Sequence, residues 1–391
     1  MILGDGGVDV IYLDNAATTW PKPATVLKSV EDHLTNYGAN PGRGGHQLSR
    51  LAGEKVEETR RRLAGLFQIP DPRNLIFCQN GTHGINLSLK GWLNPGDHVV
   101  ATSWEHNAVV RPLEMLKKNQ GIEVDYIPPG AEEPVDLHRL ERALGSRTRL
   151  IVATHASNVT GVLLPVGEIG NIARRWGIPL LVDAAQTAGV VPIDVESMGI
   201  SMLAFSGHKG LMGPQGTGGL YISPKLSLRP LMEGGTGSYS EQLMQPEERP
   251  TGFESGTPNT PGIVGLNAGL QFLSEQGMES IWRHELDLAQ QISEGLSRME
   301  GIHLYTPASS TVPVISFNVE GVDGNEVAAI LDQHYNIAVR PGFHCAALAH
   351  QTLGTADTGT IRVSPGFFNK DQDVEVLLQA VGEICEAYGI G

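Results

Sequence analysis

The residues best suited to chemistry form a lysine loop at 205–210 (FSGHKG), which directly follows an apolar run. A lysine flanked by glycine in a tight loop has little use in packing. Its amine could instead project into a cavity at the end of a strand and form a Schiff base with a carbonyl compound. Taken alone, Lys209 is more simply a solvated loop lysine, so the loop indicates catalysis only if other groups support it.

Two further segments offer such groups. The apolar run 178–183 ends in Asp183, and a carboxylate at the carboxyl end of a buried strand lies where open α/β sheets bind ligands. It would need a cationic partner to stay ionised; a helix N-cap is the alternative. At 79–86 (QNGTHGIN) a strand stops and a helix begins, which offers backbone N–H groups and the Thr82 hydroxyl to a phosphate.

A Schiff-base lysine, a strand-end carboxylate and a phosphate cup are together the requirements of pyridoxal 5′-phosphate. The cup lacks the spacing of a Walker loop, and the glycines at 213–218 match a dinucleotide fingerprint only weakly. A nucleotide-dependent dehydrogenase is therefore disfavoured.

The three cysteines differ in their surroundings. Cys78 ends an apolar strand and Cys385 lies on an apolar helical stripe, so both are interpreted as core residues. Cys345 lies beside His344 and five residues after Arg340, an electropositive setting that favours a thiolate. An odd number of widely spaced cysteines predicts no disulfide framework and a reducing compartment. We predict no metal site, because a zinc site would need a second pair of cysteines.

The elements that must position these groups follow an α/β pattern. Short, continuously apolar runs alternate with amphipathic stretches, which predicts a mainly parallel sheet covered on both faces. The runs are 74–78, 97–102, 149–155, 178–183, 201–206 and 218–223. A long helix is predicted over 46–67, with Leu48, Leu51, Val56, Thr59, Leu63 and Leu66 as its apolar positions. After the Gly/Pro-rich segment 233–261, the pattern predicts a smaller α+β domain.

Charge and composition exclude several partners. The 391 residues carry a net charge of −15, from 28 basic and 43 acidic side chains, the wrong sign for nucleic acid or an anionic membrane. No apolar run approaches the roughly 18 residues of a membrane span, and the start has no basic leader. We therefore expect a cytoplasmic protein that binds small molecules.

From YLDNAATT (12–19) to IRVSPGFFN (361–369), the chain resembles the class V branch of fold-type I pyridoxal-phosphate enzymes, most closely the cysteine desulfurases and selenocysteine lyases. The resemblance implies a large α/β domain with a mainly parallel, seven-stranded type of sheet, which we assign to 20–262. A small α+β domain would comprise 1–19 and 263–391. It also implies a homodimer with shared active sites.

The resemblance assigns roles in holding the cofactor. Lys209 would form the Schiff base, His106 would stack on the pyridine ring and help to move protons, and Asp183 would pair with the ring nitrogen. The phenolic oxygen would be held by Gln186 and Asn158, and the phosphate by Gly81, Thr82, His83, Ser206 and His208, with Thr257 reaching the phosphate of the other subunit. Position 83 is histidine where many relatives carry a hydroxyl or a small residue, so its phosphate contact is left open.

The resemblance also assigns a substrate set. Arg362 would grip the substrate carboxylate with its planar fork, although an ordinary salt bridge is the alternative, and Asn158 would assist. Cys345 would be the persulfide-forming nucleophile, with His46 and Arg340 as neighbours. The compact segment from Cys345 to Arg362 resembles the short, ordered loop of the group that includes the selenocysteine lyases and the sulfur-mobilisation desulfurases, more than the long, mobile loop of the housekeeping desulfurases. A short loop suggests that a sulfur-acceptor protein approaches the site.

The predicted function is a cysteine desulfurase that converts L-cysteine to L-alanine. Alternatives with the same cofactor are selenocysteine lyase, cysteine sulfinate desulfinase or another β-eliminating lyase. An alternative of another class is a catalytically silent sulfur-carrier or scaffold subunit, which the joint presence of Lys209, Asp183, His106 and Arg362 disfavours. The sulfur could serve iron–sulfur cluster biogenesis, thiolated nucleosides or another product.

Overall fold

The structure is a computed structural model and describes residues 10–42 and 44–390. It divides into two units. The larger comprises Lys22–Ala156 and Leu164–Met278, apart from residue 43. The smaller comprises the described parts of Met1–Pro21, Ser157–Leu163 and Glu279–Gly391.

The strands are numbered in chain order. They are β1 (Ile11–Tyr12), β2 (Leu75–Cys78), β3 (His98–Thr102), β4 (Glu123–Ile127), β5 (Thr148–Thr154), β6 (Leu180–Asp183), β7 (Met202–Ser206), β8 (Gly218–Ile222), β9 (Ile302–Leu304), β10 (Ile315–Val319), β11 (Ile337–Ala338), β12 (Arg340–Gly342) and β13 (Thr360–Val363).

The helices follow the same order. They are α1 (Ala24–Asn36), α2 (Gln47–Leu66), α3 (Gly81–Trp92), α4 (Asn107–Gln120), α5 (Leu137–Ala143), α6 (Val166–Trp176), α7 (Thr260–Gln276), α8 (Met278–Ser297), α9 (Gly324–Tyr335), α10 (Ala347–Leu353) and α11 (Asp371–Ala387). Short 3-10 turns lie at Pro72–Asn74 and Thr251–Phe253. Among the residues that the structure describes, no helix is long and apolar enough to cross a membrane.

The larger unit is built on a seven-stranded sheet of order β2-β8-β7-β6-β5-β3-β4. Its central strands pair in parallel, and β8 alone runs antiparallel to its neighbours β7 and β2. Strands β3, β6, β7 and β8 are buried at every position, as expected for a sheet with both faces covered. The predicted fold class, a mainly parallel seven-stranded α/β domain with a smaller α+β domain, is confirmed.

All six predicted apolar runs form strands of this sheet. Strand β4 was not predicted, because its residues alternate between exposed and partly buried and only Ile127 is buried. It lies at the edge of the sheet, where one apolar face is enough. Edge strands of this kind carry no continuous apolar signal.

The smaller unit contains a four-stranded antiparallel sheet of order β12-β13-β10-β9 and a parallel pair, β1 with β11. Its core is formed by α8, β10, β13 and α11, with Leu288, Phe317, Ile361 and Leu377 among its fully buried side chains. Two boundaries differ from the sequence-based division at 262. The larger unit extends to Met278, and Ser157–Leu163 belong to the smaller one.

Candidate active site

In the larger unit, the lysine loop leaves the end of β7 at Ser206 and is fixed by its own backbone. Gly207 N–H donates to the carbonyl of Thr217 (2.8 Å), and Met212 N–H donates to the carbonyl of Lys209 (2.8 Å). A Cβ atom at Gly207 would collide with the Thr217 side chain, so glycine is required there. These contacts hold Lys209 in a defined turn at the carboxyl end of a buried strand.

Lys22 supports the same loop and was not predicted. Its ammonium donates to the carbonyl of His208 at 2.7 Å, and burial lowers the pKa of Lys22 to about 8. Burial, followed by the charges of Lys209 and Lys22, lowers the pKa of His208 to about 4. His208 is therefore a neutral imidazole at pH 7. The partners are 186 positions apart, so no local signal could have revealed them.

Asp183 ends β6, between β5 and β7, and is 4% exposed. Its Oδ1 accepts a hydrogen bond from Ala185 N–H at 2.9 Å, and the residues that follow form turns rather than a helix. Burial raises the pKa of Asp183, while the Ala185 N–H and the charge of Lys209 act in the opposite direction. A buried carboxyl of this kind gains a favourable ionised state when a cationic ring nitrogen is placed against it.

Helix α3 begins at the position predicted for the phosphate cup. Gly81 N–H donates to Ser206 Oγ at 3.2 Å, and the N-cap Asn80 accepts from His83 N–H at 2.9 Å. A Cβ atom at Gly81 would approach Ser206 Oγ to 3.1 Å, so glycine permits the close approach of strand and helix. Thr82 is exposed in the first turn. The ends of β2 and β7 therefore combine a helix N-terminus with a hydroxyl, which suits a phosphate.

His83 contributes no positive charge to this cup. Its Nδ1 accepts a hydrogen bond from Gln79 N–H at 3.3 Å, and burial lowers the pKa of His83. The ring is thus a neutral neighbour of the helix start. Whether it touches a phosphate stays a prediction.

His106 caps α4. Its Nδ1 accepts a hydrogen bond from Ala108 N–H at 3.0 Å, which leaves the proton of the neutral ring on Nε2. The ring is therefore held in one orientation by the first turn of the helix.

Glu105, which precedes His106, was missed. It is fully buried, and its Oε1 accepts from Thr102 Oγ1 and from Thr154 N–H, both at 2.6 Å. Its Oε2 has no hydrogen-bond partner among the described residues. Burial, together with the charge of Asp183, raises the pKa of Glu105 to about 8. An acid three residues after an apolar strand was the available signal, similar to the one that singled out Asp183 at the end of a strand.

Three predicted residues of the larger unit are less closely tied to this set. His46 is exposed and caps α2 by accepting from Ser49 N–H at 3.3 Å. Thr257 is exposed ahead of α7, and Gln186 is half-buried in the turn after β6. Within the described residues, neither His46 nor Thr257 hydrogen-bonds to another predicted site residue of this unit. Their roles stay predictions.

In the smaller unit, Arg362 is 1% exposed in the middle of β13. Its Nη2 donates to Asp14 Oδ1 at 2.7 Å and its Nη1 to the carbonyl of Asn158 at 3.1 Å. Its Nε has no hydrogen-bond partner among the described residues. Burial lowers the pKa of Arg362, and Asp14 only partly offsets this. A buried cation with an unsatisfied donor is suited to bind a carboxylate.

Asp14 was not predicted as the partner of Arg362. It lies in the motif 12–19, but the two residues are 348 positions apart. Asn158 extends the same network, because its Nδ2 donates to the carbonyl of His344 at 2.7 Å. Arg362, Asn158 and the residue before Cys345 are thus joined by hydrogen bonds.

The cysteines divide as expected. Cys345 is exposed, whereas Cys78 and Cys385 are buried, and burial raises the pKa of both buried thiols. Nη2 of Arg340 lies 3.8 Å from Cys345 Sγ. The exposed thiol is therefore the one with a guanidinium beside it.

The expected contribution of His344 to an electropositive setting is wrong. The ring is 2% exposed, and its Nε2 lies 3.0 Å from both the carbonyl oxygen and Oγ1 of Thr360. Burial, with the charges of Arg362, His350 and Arg340, lowers the pKa of His344 to about 2. It is neutral at physiological pH, so Arg340 supplies the positive charge at Cys345.

The donor set fits pyridoxal 5′-phosphate. Lys209 offers an amine to an aldehyde, Asp183 a buried acid to a ring nitrogen, and Ser206 with the start of α3 a cradle for a phosphate. Across residues 10–42 and 44–390, no group of three His, Cys, Asp or Glu side chains is placed to hold a metal ion.

Comparison with known proteins agrees with this assignment. The model of the family aminotransferase class-V matches residues 11–377. A probable cysteine desulfurase of Methanothermobacter thermautotrophicus is 35% identical over 383 residues, covering 96% of this chain and 95% of that protein.

Solved structures show the same likeness. The apo structure of a cysteine desulfurase from Thermococcus onnurineus NA1 matches with a TM-score of 0.90 and 35% identity, covering 97% of this chain and 95% of that one. The cysteine desulfurase CsdA from Escherichia coli, in an S-sulfonic acid form, matches with a TM-score of 0.88 and 29% identity over the same shares of the two chains.

Proposed function

The chain belongs to the aminotransferase class-V family, and from that premise we propose that it is a cysteine desulfurase, which converts L-cysteine to L-alanine and leaves the sulfur on Cys345 as a persulfide. The observation that carries this proposal is the exposed Cys345 thiol, 3.8 Å from the guanidinium of Arg340. The hydrogen bonds from Arg362 to Asn158 and from Asn158 to His344 connect that thiol to a carboxylate-binding group.

Pyridoxal 5′-phosphate would be held by Lys209, Asp183, His106 and the phosphate cup at Gly81, Thr82 and Ser206, with Gln186, Asn158 and His208 as further contacts. When bound, it supplies an aldehyde that bonds the substrate amine and a ring that withdraws electrons from the adjacent carbon. Asp183 keeps the ring nitrogen protonated, because a buried carboxylate stabilises a cation beside it.

The chain's own residues bind the substrate and move its proton. Arg362 binds the α-carboxylate of L-cysteine, with Nε as the donor that the protein leaves unsatisfied. Asn158 and Asp14 fix the guanidinium. The Lys209 amine, when free, would remove the proton from Cα as the general base.

The sulfur step balances without an external oxidant. The Cys345 thiolate attacks the substrate sulfur, an S–S bond forms, and the carbon–sulfur bond breaks with its electron pair left on Cβ. Cβ takes up a proton and Lys209 returns the proton to Cα, so L-cysteine and a thiol become L-alanine and a persulfide. Arg340 places its guanidinium beside the attacking sulfur.

The proposal extends to assembly and setting. We propose a homodimer in which Thr257, exposed ahead of α7, reaches the phosphate of the second subunit. The persulfide passes to a sulfur-acceptor protein, since Cys345 is exposed on a short segment. A reducing compartment such as the cytoplasm keeps this thiol available, and iron–sulfur cluster formation is one use for the sulfur.

The test replaces each cysteine in turn by alanine. Cys345→Ala should abolish persulfide and lower alanine formation from L-cysteine by at least about 100-fold, while the visible absorbance of the bound cofactor is retained. Cys385→Ala is the matched control and should keep wild-type activity. Wild-type alanine formation by Cys345→Ala would exclude Cys345 as the nucleophile.

A further inference from the structure

Cys345 lies on an unusual stretch of backbone. His344 has φ of 47° and Cys345 has φ of 58°, and among the described residues no other two consecutive non-glycine residues share a positive φ. Such conformations are sparsely populated and persist only where the surroundings enforce them. The turn before α10 therefore needs an anchor.

His344 has the contacts of an anchor. Nε2 of its buried ring lies 3.0 Å from both the carbonyl oxygen and Oγ1 of Thr360. Thr360 Oγ1 donates in turn to Ser316 Oγ at 3.2 Å. The His344 carbonyl accepts from Asn158 Nδ2 at 2.7 Å. The residue is thus held to two strands and to the segment that carries Asn158.

The next residues turn the chain outward. Ala346 N–H donates to the carbonyl of Phe343 at 2.9 Å, which closes a tight turn around His344 and Cys345. Within that turn His344 is 2% exposed, whereas Cys345 is exposed. Because the two left-handed residues are consecutive, the direction of the thiol depends on the buried ring beside it.

The anchor does not change with pH. The carbonyl of Thr360 accepts, so the proton of the His344 ring is on Nε2. The ring stays neutral because burial lowers the pKa of His344 to about 2. It therefore donates the same hydrogen bond throughout the range in which the protein would work.

We propose that His344 is a positioning residue for Cys345: its buried ring, bonded to Thr360, enforces the left-handed turn that presents the thiol. The inference rests on the proposed function, in which Cys345 is the nucleophile. His344 itself touches neither substrate nor cofactor in this proposal. It acts through the backbone that it shares with Cys345.

The experiment compares His344→Ala with His344→Gln in the holoenzyme, using two substrates. L-Cysteine needs the Cys345 thiol, whereas the sulfinate group of L-cysteine sulfinate leaves without it. His344→Ala should lower kcat for L-cysteine by about 10- to 100-fold, because small displacements of a reacting group are that costly. KM should change less than about twofold, since Arg362 and Asn158 keep their contacts. Glutamine, whose amide nitrogen can replace Nε2, should restore most of kcat.

The sulfinate reaction separates positioning from general damage. It should stay within about twofold of wild type in His344→Ala. An equal loss on both substrates would overturn the proposal, because it would indicate a structural defect of the whole unit. His33→Ala, which removes a similarly buried histidine from α1 of the larger unit, is the matched control and should affect both substrates equally.

A second readout is independent of desulfuration. Iodoacetamide should alkylate Cys345 of His344→Ala at least about threefold more slowly than wild type, because the relaxed turn no longer holds Sγ beside Arg340. The buried Cys78 and Cys385 should not react. An unchanged alkylation rate in His344→Ala would overturn the proposal, whatever the activity of that variant. Full activity of Cys345→Ala would instead defeat the proposed function and leave the alkylation rate to decide the role of His344.

Discussion

The two largest fully buried side chains are both arginines, and they differ in how completely they are paired. In the larger unit, Arg60 donates to both oxygens of Glu254 (2.7 and 3.0 Å), to the carbonyl of Leu75 (2.6 Å) and to Glu57 (3.1 Å). In the smaller unit, Arg362 donates once to Asp14 and once to Asn158, and its Nε has no partner among the described residues.

The pKa shifts of the two guanidinium groups follow from how completely each group is paired. Burial opposes the charge of Arg60, but Glu254 and Glu57 outweigh it and raise its pKa. Burial lowers the pKa of Arg362 because Asp14 alone does not compensate. A buried guanidinium that the protein satisfies acts as an internal cross-link. One that the protein leaves partly unsatisfied is prepared for a ligand.

The largest effect is expected from Arg60→Met. It removes the partner of Glu254, whose Oε1 also accepts from Phe77 N–H at 2.6 Å, and leaves a carboxylate uncompensated. The free energy of unfolding should fall by about 3–5 kcal/mol, measured by urea denaturation of the holoenzyme. The KM for L-cysteine of the remaining folded protein should not change.

A double variant tests the cause of this loss. Arg60→Met combined with Glu254→Gln removes both charges and should recover part of the lost stability. If the single variant instead raised KM and left stability unchanged, the contrast between the two arginines would be broken.

Arg60 also shows where the sequence is insufficient. The predicted helix over 46–67 is present as α2, but Leu48 is exposed and Arg60 is buried. Apolar periodicity places charged residues outside by default. It could not find Glu254, 194 positions away, whose carboxylate makes the burial of Arg60 possible.

For the fold, the sequence was most informative in the interior. Each of the six apolar runs forms a strand. Both faces of the sheet are covered, so consecutive residues of its strands are apolar. Strand β4 escaped because its residues alternate between exposed and partly buried positions, unlike those of β2, the other edge strand. The antiparallel direction of β8 also escaped, since direction depends on how strands pair rather than on which residues they contain.

For the site, residue types and local motifs were predictable but their long-range partners were not. Motifs singled out Arg362 and Cys345, while Asp14 and Lys22 act on residues more than a hundred positions away. The role of His344 was predicted wrongly, because adjacency in sequence does not reveal that a ring turns into the core. Burial, which determines the protonation state, becomes visible only in the structure.

A smaller effect, on catalysis rather than stability, is expected from Arg362→Lys. Lysine keeps the charge but loses the planar fork and the open Nε donor. A lost hydrogen bond to a charged group is worth about 1.5–3 kcal/mol, so kcat/KM for L-cysteine should fall by roughly 10- to 150-fold. Steady-state alanine formation measures it.

Stability separates this variant from Arg60→Met. Lysine keeps a positive charge near Asp14, the partner of Arg362, whereas methionine leaves Glu254 without one, so the loss of unfolding free energy should be well below that of Arg60→Met. A loss as large as that of Arg60→Met, with unchanged kcat/KM, would make Arg362 a second cross-link and remove the contrast.

The contrast extends to two buried acids. Burial raises the pKa of Glu285, in the smaller unit, to about 8, opposed by the backbone N–H of Phe367. The pKa of Glu105, in the larger unit, is raised to the same value, but Oε2 of Glu105 has no hydrogen-bond partner among the described residues. Glu105 thus resembles Arg362, because each has a buried polar atom without a hydrogen-bond partner. Glu285 resembles Arg60, for which no such atom is found among the described residues.

The smallest effect is expected from Glu105→Gln, which should remove a pH dependence of the free energy of unfolding. Between the ordinary pKa of 4.5 and the folded value of about 8, the unfolded chain is ionised while the folded one keeps its proton, so stability falls as pH rises. Glutamine cannot ionise. From pH 6 to pH 7 the wild type should therefore lose up to about 1.4 kcal/mol relative to the variant, measured by urea denaturation at both values.

Glu285→Gln is the matched control, and it should remove a similar pH dependence because burial is the largest cause of both raised pKa values. The two variants should differ at the cofactor. Glu105→Gln changes the unsatisfied oxygen of the residue that precedes His106 and should shift the visible absorbance of the holoenzyme, whereas Glu285→Gln should not. Identical spectra for the two variants would mean that an unsatisfied buried polar atom does not mark a binding site in this protein, and the interpretation of Arg362 would lose its second example.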